Sequence, residues 1–202
     1  GVVTATNSNG VLQFFAGPTT VYNVTGATMA NGTGLIGATS SGQGAVAFQR
    51  PGYPSNYFLV TNQSSVALNS PNGNLWYHRI DMTQNGGLGA VTTKNEQLGA
   101  ANSASEALAA VPNHDGTKAW VLSVTNGTNK ILAYEFDGNG PTGLVITSTL
   151  STNNGLWFGT LRFSADMSKV VQLSNNNSET SWGPTQVRLL DFNAQTGQLT
   201  EN

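Results

Sequence analysis

Trp76-Tyr77-His78-Arg79-Ile80-Asp81, Leu132-Ala133-Tyr134-Glu135-Phe136-Asp137 and Arg188-Leu189-Leu190-Asp191-Phe192-Asn193 are three copies of one strand, and their spacing decides the fold. A glycine-bearing turn follows each: Gly86-Gly87-Leu88, Gly143-Leu144 and Gly197-Gln198-Leu199. Ile80, Phe136 and Phe192 stand 56 residues apart, as do Asp81, Asp137 and Asn193. A fixed period near 50 residues, built from short strands, marks a β-propeller or similar array with one blade per repeat. The period leaves the ligand open, because propellers serve as enzymes, lectins and scaffolds alike.

Outward from these strands the chain reads as hairpins closed by Asn, Asp, Gly and Pro. Asn-Gly and Asp-Gly tolerate the positive φ that tight hairpins need. Val2–Thr6 and Val11–Phe15 flank Asn7-Ser8-Asn9-Gly10; Ala45–Gln49 and Tyr57–Thr61 flank Pro51-Gly52-Tyr53-Pro54. Leu108–Val111 and Ala119–Thr125 flank Asn113-His114-Asp115-Gly116, and Thr160–Ser164 and Val170–Ser174 flank Ala165-Asp166-Met167-Ser168. Ser103 to Val111 also has a short helical reading ended by Pro112, but the repeat favours a strand there. Each hairpin leads to a repeat strand, and Leu88–Thr93, Leu144–Leu150 and a start at Leu199 supply a fourth strand.

The expectation is an all-β fold of β-propeller-type four-stranded blades, about three and a half of them in one domain over residues 1–202. The blades divide as a partial unit over about 1–38, full units over 39–99 and 100–150, and a partial unit over 151–202. Such an incomplete ring leaves strand edges and apolar faces open. The rest of a longer parent protein, or neighbouring subunits, would complete it. A start at Gly1 without Met fits a processed or trimmed product, and a fragment of a longer protein is favoured.

Composition narrows the partners. The chain has 8 Lys and Arg against 10 Asp and Glu, a net charge of −2. Nucleic-acid binding needs clustered cations, so it is not expected. No apolar run approaches the length of a membrane span, so no membrane insertion is expected. There are no cysteines, hence no disulfide and no thiolate metal site. Polarity comes instead from 23 Asn, 24 Thr, 17 Ser and 24 Gly. This composition is more typical of bacterial surface and secreted proteins than of cytosolic enzymes. The Asn-x-Ser/Thr sequons at Asn23, Asn31, Asn62, Asn126 and Asn176 matter only in a glycosylating host.

Several stretches resemble a known family. They are Asn9-Gly10-Val11-Leu12-Gln13-Phe14-Phe15 with Val21-Tyr22-Asn23, and Met29-Ala30-Asn31-Gly32-Thr33-Gly34-Leu35-Ile36-Gly37. Ile80-Asp81-Met82-Thr83-Gln84-Asn85-Gly86-Gly87-Leu88-Gly89 with Val91-Thr92-Thr93-Lys94-Asn95 is another, and its Asn85-Gly86-Gly87-Leu88-Gly89 segment is the most specific. Leu161 to Lys169 and Leu190 to Gly197 complete the set. Together they resemble the WD40/YVTN-like propeller modules of large secreted and cell-surface proteins of Bacteroidota-type bacteria, gliding-motility adhesins among them. The resemblance implies export and adhesion, and supplies no catalytic residues. Val111-Pro112-Asn113-His114 departs from the family pattern, which has a basic residue or His directly after the Val.

Catalytic, cofactor and metal sites are not expected. His78 sits in a strand and His114 in a turn, with no second histidine near either in sequence to build a ligand set. Gly32-Thr33-Gly34-Leu35-Ile36-Gly37 has the glycine spacing of a dinucleotide loop, but a breaker-rich loop rather than a helix follows it, so it reads as a connector. Asp137-Gly138-Asn139-Gly140 lacks the downstream Glu of a calcium loop and reads as a turn. Asp81, Asp137 and Asp191 are expected to bind turn amides. Trp120, alternating with Val and Leu, is assigned to the core. Aromatics in loops stack on sugars or anchor partners. Trp182, Tyr53 and Trp157 are therefore the candidate ligand-binding residues.

The reading is a non-enzymatic adhesion or display module of an exported, extracellular bacterial protein, binding a surface glycan or protein through its loop face. One alternative is a structural subunit that assembles by edge-strand pairing. Another is a propeller-type enzyme acting on polysaccharides.

Overall fold

In the computed structural model of the chain, short apolar runs between Asn- and Gly-rich turns fold as sixteen strands among the described residues. The structure describes residues 1–63, 73–99, 104–113, 115–152, 159–175 and 185–201. The strands fall into four consecutive antiparallel meanders. Unit 1 holds β1 (Val3–Thr6), β2 (Leu12–Ala16), β3 (Thr20–Asn23) and β4 (Thr28–Thr33). Unit 2 holds β5 (Ala45–Gln49), β6 (Asn56–Gln63), β7 (Asn74–Asp81) and β8 (Ala90–Leu98). Unit 3 holds β9 (Ala104–Pro112), β10 (Ala119–Thr125), β11 (Lys130–Asp137) and β12 (Gly140–Thr149). Unit 4 holds β13 (Gly159–Phe163), β14 (Lys169–Asn175), β15 (Thr185–Phe192) and β16 (Leu199–Glu201).

The fold is all-β. The two end units, read from sequence as partial, each carry four strands. β16 is only three residues long but pairs with β15 from Leu190↔Glu201 to Phe192↔Leu199. The segment with a helical alternative is strand β9, paired with β10. Units 1 and 2 join through one parallel residue pair, Ala30 with Ala90, giving an eight-stranded sheet in the order β1-β2-β3-β4-β8-β7-β6-β5. Its edge strands β1 and β5 lie against each other, so this sheet nearly closes on itself. Units 3 and 4 are separate four-stranded sheets.

Each core lies between two successive units. Phe14, Val21 and Met29 of unit 1 pack on Tyr57, Leu59 and Ile80 of unit 2. Phe58, Val60 and Leu75, on the opposite face of unit 2, pack on Leu108, Val121 and Phe136 of unit 3. Trp120, Leu122 and Ile131, on the far face of unit 3, pack on Leu161, Val170, Leu190 and Phe192 of unit 4. The first strands follow the same succession, β1 beside β5, β5 beside β9 and β9 beside β13. Because units 2 and 3 are covered on both faces, their strands read as apolar runs such as Tyr57-Phe58-Leu59-Val60, all buried.

The connector between units 1 and 2 ties the units together near their first strands. Gln43 pairs its amide with the Leu161 backbone of unit 4, donating to the carbonyl at 3.1 Å and accepting the N–H at 3.0 Å. The Gly42 N–H donates to Glu106 of unit 3 at 2.6 Å. Gly32-Thr33-Gly34-Leu35-Ile36-Gly37, read from sequence as a connector, spans the end of β4 and the start of the connector, and its Gly32 and Gly37 allow close backbone approach. A Cβ at Gly37 would lie 2.3 Å from the Pro18 carbonyl oxygen.

Candidate functional site

Tyr53 is the one candidate ligand-binding residue within the described part of the chain; Trp157 and Trp182 lie outside the described residues, as does His114. Tyr53 sits between β5 and β6 in two consecutive proline turns. The Tyr53 N–H donates to the Arg50 carbonyl at 3.0 Å, with Pro51 and Gly52 between them and Gly52 at φ +78°. Proline then glycine is the residue pair a type II turn needs, because only the second central position requires positive φ. The Asn56 N–H then donates to the Tyr53 carbonyl at 3.1 Å across Pro54 and Ser55. Proline fixes φ in both turns, so the aromatic ring is presented with little conformational freedom.

Tyr53 stays 46% exposed. The Arg50 guanidinium covers one face, 3.8 Å from the ring centroid, a cation–π contact. Arg50 also donates from Nε to the Gly138 carbonyl of unit 3 at 2.6 Å. Gly138 is required there: a Cβ would lie 2.9 Å from the Pro51 carbonyl oxygen and 3.1 Å from the Tyr53 ring.

This seam opens into a groove of about 410 Å³ between the first hairpin turns of units 2 and 3. Phe48, Pro51, Tyr53 and Pro54 form one wall; Pro112, Gly116, Lys118 and Ala119 form the other. Lys118 pairs with buried Glu135 at 2.7 Å. Glu135 also accepts from Thr142 Oγ1 at 2.9 Å. The hydrogen bond to Glu135, ahead of the charge attraction, raises the Lys118 pKa. The groove therefore combines an exposed aromatic ring, flat proline surfaces and two held cations, a set suited to stacking on a ring and hydrogen bonding to its oxygens.

Arg50 and Lys118 were not singled out in the sequence, and Gly138 was read only as part of a turn. A signal existed for Lys118: the turn Asp115-Gly116-Thr117-Lys118 returns as Asp166-Met167-Ser168-Lys169. In both, the Asp accepts the backbone N–H two residues on. In both, the Lys pairs with a carboxylate of the repeat strand, Glu135 or Asp191, themselves 56 residues apart. Asp191 thus serves this ion pair, a role the expectation of turn-amide binding did not include.

Asp81 and Asp137 do bind turn amides. Asp81 Oδ1 accepts the Thr83 N–H at 2.9 Å, and Asp137 Oδ1 accepts the Asn139 N–H at 2.6 Å. Asn193, at the equivalent place in unit 4, accepts the Gln195 N–H at 2.9 Å.

His78 is fully buried rather than on a strand surface. Its Nδ1 accepts the Asn95 N–H at 3.1 Å, which leaves Nε2–H to donate to Thr61 Oγ1 at 2.9 Å. Thr61 Oγ1–H in turn donates to the Ile36 carbonyl at 2.6 Å. Burial, helped by the charge of Lys94, lowers the His78 pKa to about 4, so the ring is neutral. It is a satisfied core histidine holding unit 2 to the connector. Trp120 is core as expected, with its Nε1–H donating to the Ala194 carbonyl of unit 4 at 2.8 Å.

Compared with protein-family models and with curated proteins, the chain matches none.

Proposed function

We propose that the chain is a non-enzymatic binding module, a propeller-type array whose four-stranded units are blades, and that it takes a surface glycan in the groove around Tyr53. The observation that carries this reading is the rigid double-proline turn, which holds a half-exposed tyrosine beside Arg50 and opposite Lys118. A pyranose ring stacks its C–H face on such a phenol while its hydroxyls meet the cations. The low charge, the Asn/Thr/Gly-rich composition and the resemblance to exported Bacteroidota-type propeller modules favour a cell-surface or secreted setting and a role in adhesion or display.

A glycan array followed by titration calorimetry tests the reading. A binder is expected, with Tyr53→Ala weakening it at least about tenfold, the loss of one stacking contact, at an unchanged unfolding midpoint. Binding that survives Tyr53→Ala and Lys118→Met would remove the groove from the account. Turnover of a bound polysaccharide would make the protein an enzyme.

A further inference from the structure

Unit 4 repeats, on its outward face, the apolar positions by which units 2 and 3 hold their successors. The strand registers align the three units. Val60 opposite Tyr77, Leu122 opposite Ala133 and Val171 opposite Leu189 are one position; Asn62 opposite Leu75, Val124 opposite Ile131 and Leu173 opposite Val187 are the next. Leu75, Ile131 and Val187 are each 56 residues apart. Val60 and Leu75 are buried against unit 3, and Leu122, Val124 and Ile131 against unit 4. Val171, Leu173, Val187 and Leu189 instead form a contiguous aliphatic block exposed by 38–67%. A solvated sheet face would normally be polar at alternate positions, and an exposed apolar block marks an interaction surface.

The other end of the array carries an aromatic face of its own, half-buried at Phe15 and Tyr22. Phe14, Ala16 and Val21 face unit 2, so Phe15 and Tyr22 lie on the opposite face of unit 1. There they stack on each other, centroids 5.2 Å apart and planes within 14°. Within one chain this face occupies the place of the aromatic and aliphatic face that each later unit offers to its predecessor. We propose that a second copy of this chain supplies the missing contact. The aliphatic face of unit 4 packs on the Phe15–Tyr22 face of the partner's first unit, and the reverse contact closes a two-chain ring. The contact is heterologous, one face meeting a different one, and a two-fold pair satisfies both faces of both chains. It continues the packing already seen from unit 2 to unit 3 and from unit 3 to unit 4, and it differs from edge-strand pairing in using sheet faces.

Sedimentation velocity over a rising concentration series tests it. The chain is expected to move from 21.1 kDa to twice that mass. Val187→Lys and Tyr22→Lys should each hold it at the single-chain mass, and an equimolar mixture of the two variants should recover a dimer, because one native contact remains possible between them. Val187 is exposed in the single chain, so its substitution leaves that chain's unfolding midpoint unchanged. If Tyr22→Lys lowers the midpoint, Thr4→Arg, exposed and opposite Phe15, replaces it. A single-chain mass at every concentration overturns the proposal. So does loss of the dimer by Val187→Lys alone, which would mean that two unit 4 faces meet each other. Growth beyond two chains would overturn the closed ring.

Discussion

β10 in unit 3 and β14 in unit 4 are the same strand of successive units, yet their surroundings differ. Every residue of β10, Ala119 to Thr125, is buried. In β14 burial alternates: Val170, Gln172 and Ser174 are buried, and Val171 and Leu173 are exposed. Val171 and Leu173 are as apolar as Leu122 and Val124, which hold the same positions in β10, so hydropathy does not separate these pairs. A neighbour on each side does. Unit 3 lies between units 2 and 4, while among the described residues unit 4 has a neighbour on one face only. The same sequence pattern can therefore be core in one unit and surface in the next.

The largest test of that difference is to truncate equivalent side chains. Ile131→Ala removes a fully buried side chain between units 3 and 4 and should cost about 2–5 kcal/mol. Val187→Ala, the same position in unit 4, should stay within about 0.5 kcal/mol when measured in dilute, monomeric protein. Urea unfolding of both variants gives the comparison. Equal losses would mean that unit 4's outward face is already covered within the chain.

The next test uses a charge instead of a cavity. His78 lies on the covered face of unit 2, and its pKa falls from 6.5 to about 4 on folding. Between those values the unfolded chain binds a proton that the folded chain does not. Stability is thus fully present above pH 6.5 and is lost as pH falls towards 4, by up to roughly 3 kcal/mol. His78→Gln should flatten that slope in a pH series of unfolding midpoints. A slope unchanged by the substitution would place the proton uptake elsewhere.

The smallest effects should erase the contrast between the two units. Asp137 in unit 3 and Asn193 in unit 4 cap the same turn by accepting amide N–H groups from within it. Each Ala replacement should cost about 1 kcal/mol, by analogy with helix N-caps, because the bond is local and indifferent to what covers the sheet. A marked inequality between the two would show that turn and face are coupled.

Much of this was legible in the chain. The strands beginning at Ala45 and Ala119, the turns at Asp115 and Asp166, and the repeat at Ile80, Phe136 and Phe192 follow from local pattern and turn chemistry. Unit 1 was harder to read, because β4 contains Asn31 and Gly32, residues that ordinarily interrupt strands. Gly32 is tolerated there, indeed required: a Cβ would lie 2.8 Å from two carbonyl oxygens. Tyr53 was legible as a loop aromatic between prolines, but its groove was not. Arg50 and Gly138 are 88 residues apart in the chain and meet only because units 2 and 3 pack side by side.

The sequence by itself determined the all-β fold, the four-strand rhythm and the turns, since hydrophobic alternation and positive-φ residues act over a few neighbours. The tertiary structure alone decided which apolar positions became core. It made His78 a buried, neutral hydrogen-bonding residue rather than a surface one, and it built the Tyr53 groove from two units. Those outcomes depend on which sheet face meets which, and the period of two along a strand marks opposite faces without saying what lies across from either.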